Sequence, residues 1–246
     1  MQRALLIVSL VVAGCRASSA EGELVVGSKH KVLTTDRGPV HVFTPDGYEA
    51  QTAGVLLYVH GYYTDVDEAW RTHDLAAQFS ASRRNAVFIA MEAPIGDEQN
   101  VRWPNLRELL DAVQQSGVMI PQGPRVAVAH SGGYRTVTEW LEEGLLTDIV
   151  LLDGLYGSEN ALGRWLDEGQ RQLVLVGGHT TERIDAFTEL RGGALEVNDI
   201  PGAAQAEKLK QAPLVVVRSQ YGHMELVTSG EVIPRLLETT PLTAVR

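Results

Sequence analysis

The stretch from Val126 to Arg135 reads VAVAHSGGYR: a short run of small apolar residues, a serine set between a histidine and two glycines, then a helical pattern. A strand that turns sharply into a helix holds such a serine exposed on a strained turn, where its hydroxyl can attack a carbonyl carbon. The chemistry this suggests for Ser131 is nucleophilic catalysis. The neighbouring residues suit the turn. Ala129 and Gly133 lie where strand and helix crowd each other and a larger side chain would clash, and Gly132 leaves its backbone N–H free to approach a substrate oxygen. Glycine is usual at the first small position, so Ala129 departs from the pattern by one methyl group.

A nucleophile of this kind must be held by a rigid frame, and the periodicity of the chain supplies one. Apolar, β-rich runs occur at 23–33, 39–44, 54–60, 86–91, 125–130, 148–153, 172–176 and 213–218. The first two flank the turn-prone Asp36-Arg37-Gly38 and read as an antiparallel hairpin at a sheet edge. Helical patterns lie between the later runs. Leu106, Leu109, Leu110 and Val113 fall at i, i+3, i+4 and i+7, with Pro104 near the start. Tyr134, Val137 and Leu141 continue the pattern after Ser131, and Gly144 can end that helix. Strands alternating with helices predict a mostly parallel sheet covered on both faces, with the site at the C-terminal ends of the strands.

Eight strands, the serine turn on the fifth and a histidine after the eighth together resemble the α/β-hydrolase superfamily, over residues 24–237. The resemblance implies a single-domain α/β-hydrolase fold with a mostly parallel eight-stranded sheet and helices on both faces, and the short connection between the sixth and seventh runs, where many relatives insert a lid, predicts little or no lid. It also implies a triad in the order Ser, acid, His. The last run, PLVVVR, leads into Ser219-Gln220-Tyr221-Gly222-His223-Met224-Glu225-Leu226, a GHxxL setting similar to that of the superfamily's base, so His223 is the candidate base. For the acid, the sixth run ends in Asp153, and a charge buried at a strand end needs the partner that a histidine N–H provides. Glu182, after the seventh strand, is the alternative. It and Asp185 also look like first-turn helix acids, behind two threonines that fit a helix cap. His60-Gly61 resembles the family's HG signature, which implies that the N–H groups of Tyr62 and Gly132 form an oxyanion hole. His60 reads as a brace for that loop and His130 as a packing residue.

Tyr62, Tyr63, Tyr134, Tyr156 and Tyr221 each fall beside a candidate site loop, and of these Tyr63 and Tyr156 are the candidates for substrate contact. Only about 18 residues separate the sixth and seventh runs, which predicts an open cleft suited to bulky or polymeric substrates. Glu92, Asp65 and Asp67 could serve a cationic substrate, but Thr64 with Asp67 nearly forms a capping box, and the helix-cap role is favoured.

At the N-terminus, Met1-Gln2-Arg3 and the short apolar stretch 4–13 read as a signal peptide, and Val12-Ala13-Gly14-Cys15 resembles the bacterial lipobox. The expected organisation is a leader over 1–14, a tether over 15–23 and the catalytic domain over 24–246. Cys15 would be the lipidated residue. Arg16 after it implies the outer membrane, facing the periplasm, in a Gram-negative cell. Cys15 is the only cysteine, which excludes an internal disulfide or a multi-cysteine metal site. A net charge of −10 argues against nucleic acid or anionic headgroups as partners. The expected function is hydrolysis of a carboxylic ester through an acyl-enzyme, with no cofactor and no metal implied. Two alternatives stand beside it: amide cleavage on envelope peptides, and a catalytically silent envelope-binding module.

Overall fold

A computed structural model describes residues 29–246. The expected leader, the tether and the lipidation of Cys15 lie outside the described residues. Among those residues, no helix is long and apolar enough to cross a membrane.

Nine strands form one sheet: β1 Lys29–Thr35, β2 Gly38–Thr44, β3 Gly54–Val59, β4 Ala86–Met91, β5 Arg125–His130, β6 Asp148–Leu152, β7 Gln172–Gly177, β8 Leu195–Val197 and β9 Leu214–Arg218. Their spatial order is β1-β2-β4-β3-β5-β6-β7-β9-β8. The β1–β2 and β2–β4 pairings are antiparallel and every other pairing is parallel. The hairpin turns through Asp36 and Arg37, with Thr35 paired to Gly38. The ninth strand departs from the expected eight. It is β8, three residues at the sheet edge, of which Leu195 and Glu196 are exposed, so it carries no hydrophobic alternation to betray it.

Nine helices among the described residues cover the sheet: α1 Val66–Thr72, α2 Leu75–Ser82, α3 Leu106–Gln115, α4 Tyr134–Trp140, α5 Glu159–Asp167, α6 Thr181–Arg191, α7 Ala203–Leu209, α8 Glu225–Thr228 and α9 Val232–Leu237. Side chains alternate along each strand, and so divide the core in two. Val55, Leu57 and Val59 pack under α3, α4, α5 and α6, while Leu56 and Tyr58 pack under α1, α2, α7, α8 and α9. Leu106, Leu109, Leu110 and Val113 are the buried face of α3, whose N-cap Asn105 accepts a hydrogen bond from Glu108 N. The cap of α1 is Asp65, which accepts from Glu68 N at 2.7 Å, and not Thr64. Thr64 instead sends its hydroxyl toward the Glu68 side chain.

Candidate active site

The ends of β5 and β6 each carry an unusual backbone. Ser131 and Asp153 both adopt φ of +48°, the left-handed region that non-glycine residues enter only when the surrounding structure compels them. His130 pairs with Leu152 across the two parallel strands, so Ser131 and Asp153 each occupy the first position beyond adjacent strands. Ser131 begins the short turn that leads into α4, and Asp153 begins the loop that leads to α5. The crowding behind the turn is real: a Cβ on Gly133 would lie 2.7 Å from the Val59 carbonyl oxygen and 2.8 Å from that of His60.

Asp153 is fully buried and accepts five hydrogen bonds. Its Oδ1 receives Gly178 N at 3.2 Å, Thr180 N at 2.7 Å and Thr180 Oγ1 at 2.9 Å. Its Oδ2 receives His179 N at 3.0 Å and His223 Nδ1–H at 2.6 Å. Burial opposes ionisation of this carboxyl, but the donors from His223, His179 and Thr180 outweigh it and hold the group well below the usual carboxylate range. Glu182 stands exposed in the first turn of α6, and Asp185 of the same helix pairs with Arg218 at 2.6 Å. Thr180 directs its hydroxyl to Asp153 and leaves the helix N-terminus without a side-chain cap, contrary to the cap expected from the two threonines.

His223 is anchored by the residue that precedes Ser131, one the sequence marks only for packing. His130 Nε2–H donates to the His223 carbonyl at 3.1 Å, and the two rings lie 4.6 Å apart. Burial, then the neighbouring His223, pushes the His130 pKa down to about 3, so this ring is neutral at physiological pH. His60 braces the HG loop. Its Nδ1–H donates to the Gly61 carbonyl at 2.7 Å, and its Nε2 accepts from Ala93 N at 3.0 Å, which leaves neither nitrogen free.

The Tyr63 amide is taken by the Ile95 carbonyl at 3.0 Å, while no acceptor among the described residues receives the Tyr62 amide. The Tyr62 ring covers Gly132 so closely that a Cβ there would lie 2.4 Å from it. Tyr63 is 93% exposed, and Tyr156 packs against Tyr134 with ring centroids 5.9 Å apart. A groove of about 430 Å³ flanks the site, lined by Tyr134, Arg135, Asn100, Pro104 and Ser158 among others. Glu92, half-buried, accepts from Val66 N at 3.1 Å, so it ties α1 to the end of β4. Asp67 is held by His41 at 2.7 Å.

Three residues escape sequence reasoning. Arg135 donates to the Tyr62 hydroxyl at 3.1 Å and to the carbonyls of Asp97 at 3.0 Å and Gln99 at 2.9 Å, and so clamps the Tyr62 loop to the segment after β4. His179 lies parallel to His223, with centroids 5.0 Å apart. Thr180 completes the cradle of Asp153. No sequence signal marked any of the three, because their partners lie on other elements.

No family model and no curated protein sequence matches the chain. Solved structures do resemble it. An S-formylglutathione hydrolase from Agrobacterium tumefaciens is similar at TM-score 0.58 and 11% identity, over 91% of this chain and 99% of that one. An S-formylglutathione hydrolase from Staphylococcus aureus gives TM-score 0.58 and 12% identity, over 85% and 96%. An arylesterase gives TM-score 0.52 and 11% identity, over 89% and 85%. At such identities the likeness is one of fold.

Proposed function

We propose that this chain, which has the α/β-hydrolase fold, is a serine hydrolase that cleaves carboxylic esters. One observation carries the proposal: a buried carboxylate bonded at 2.6 Å to a histidine, one strand over from a serine held in the left-handed conformation. The esterase names of structures with the same fold support it. Ser131 Oγ attacks the ester carbonyl as His223 Nε2 takes its proton, and Asp153 fixes the tautomer that makes Nε2 the accepting nitrogen. The amides of Tyr62 and Gly132 stabilise the oxyanion. Collapse expels the alcohol, which takes the proton from His223, and leaves an acyl-serine. Water, deprotonated by His223, then releases the carboxylic acid and restores Ser131. Tyr63 and Tyr156 contact the substrate in an open cleft.

A fluorophosphonate probe should label Ser131 alone, and short-chain p-nitrophenyl esters should turn over in a Ser131-dependent manner. A folded domain with no adduct on Ser131 would overturn the enzyme and favour a binding module. Faster turnover of peptide amides in the same assay would assign amide cleavage instead.

The proposal includes attachment to the bacterial envelope through lipidated Cys15, supported by the Val12-Ala13-Gly14-Cys15 motif. Cys15→Ser should abolish the lipid adduct seen by mass spectrometry of the native N-terminus; an unmodified Cys15 in the native protein would overturn the anchor.

A further inference from the structure

Two histidine ring nitrogens approach Asp153 Oδ2, from rings stacked 5.0 Å apart. His223 Nδ1 lies 2.6 Å away and His179 Nδ1 3.9 Å away, and the three atoms fall within 4.8 Å of one another. Asp153 is buried, whereas the His179 side chain is 72% exposed. We propose that these three side chains form an inhibitory site for a divalent zinc-type ion.

Two imidazoles and one carboxylate are a donor set that zinc accepts, with the fourth position left to water on the exposed side of His179. Tetrahedral zinc with ligand bonds of about 2.0–2.1 Å separates its ligand atoms by about 3.3–3.4 Å. The two oxygen–nitrogen distances straddle that value: the His223 contact must open by roughly 0.7 Å and His179 must approach by roughly 0.6 Å, and the same movement of His179 sets the spacing of the two nitrogens, which lie within 4.8 Å. The exposed His179 ring turns about its own side-chain bonds to aim the Nδ1 lone pair at an ion held on Oδ2. Asp153 needs no rearrangement, because Gly178 and Thr180 hold Oδ1 in place.

Inhibition follows from the proton count. The ion takes the place of the His223 Nδ1 proton, which is released to solvent. With the Nδ1 lone pair on the metal, the neutral ring carries its one remaining proton on Nε2. That nitrogen can no longer accept the Ser131 proton. The inhibitory consequence rests on the esterase reading; the binding itself does not.

The test uses the untagged protein, with zinc chloride as probe. Calorimetric titration of wild type and Ser131→Ala should each give one zinc ion per chain, and His179→Ala should weaken that binding about 10- to 100-fold or more, on the scale of losing a metal-site group. Wild-type esterase activity should fall in step with occupancy and return with EDTA. His179→Ala, compared with its own metal-free rate, should need correspondingly more zinc. Absence of stoichiometric binding, or equal affinity in His179→Ala, would overturn the site; binding without inhibition would overturn the inhibitory role. Stoichiometric, His179-dependent binding by a chain with no esterase activity would uphold the site and overturn the function reading instead.

Discussion

Asp153 receives four of its five hydrogen bonds from the loop of Gly178, His179 and Thr180 and one from His223. The carboxylate therefore does two jobs: it orients the histidine, and it ties the ends of β6 and β7 together. Asp153→Asn puts an NH₂ group where one oxygen accepts, and in either orientation that group faces N–H donors. Turnover of an ester substrate should drop by about 10³- to 10⁴-fold through the wrong tautomer. Stability should also fall, by about 1–3 kcal/mol from the unsatisfied donors, which urea unfolding would measure. Glu182→Gln should change neither quantity. Collapse of turnover in Glu182→Gln with near-normal Asp153→Asn would move the acid to α6.

Among the elements, the loop between β3 and α1 has three braces. His60 holds Gly61 and Ala93, Glu92 holds the start of α1, and Arg135 reaches from α4 to the Tyr62 hydroxyl. Arg135 fixes the ring that lies on Gly132, so the two proposed oxyanion donors keep their spacing only while this clamp is in place. Arg135→Ala should lower kcat about tenfold with KM little changed, a smaller loss than the 10²- to 10³-fold of removing a donor outright. Arg135→Lys should restore only part of it, since one ammonium cannot reproduce the fork that spans Tyr62, Asp97 and Gln99. A purely structural role would instead lower the melting temperature and leave kcat unchanged.

Across the whole molecule, five of the seven histidines have pKa values lowered chiefly by burial: His30 and His73 to about 4, His130 to about 3, and His41 and His60 in the same direction. The unfolded chain takes up these protons near the ordinary histidine value of about 6.5, while the folded chain resists, so stability is lost as pH falls from about 6.5 toward 4. Asp148 opposes this. Burial pushes its carboxyl up to about 6, so the folded state gains a proton there before the unfolded state does. Burial raises the half-buried Glu92 carboxyl in the same direction, and two groups do not offset five. Asp153, held low, adds to the loss only below the ordinary carboxylate range. Urea midpoints should therefore decline steadily from pH 7 to 4.5, and a midpoint that rises on acidification would contradict this account.

The features legible in the residues alone are local. Small residues around Ser131 dictate a tight strand-to-helix turn, alternating apolar runs dictate eight of the nine strands, and the spacing of Leu106, Leu109, Leu110 and Val113 dictates the buried face of α3. These features follow from side-chain size and periodicity within a few residues, and so survive without a partner. The choice between Asp153 and Glu182 could not be read this way, because each follows a strand. Only the lateral register of β6, β7 and β9, with Leu152 opposite Val176 and Val176 opposite Val217, brings the segment after β9 to Asp153, while Glu182 stays exposed in α6. The same holds for Arg135 against Tyr62, 73 positions away, and His130 against the His223 carbonyl, 93 away. No residue type announces such contacts, since arginine, threonine and histidine are ordinary loop and helix residues until packing supplies their partners. β8 was hidden for the same reason: its three residues form a strand only because β9 offers an edge to pair with.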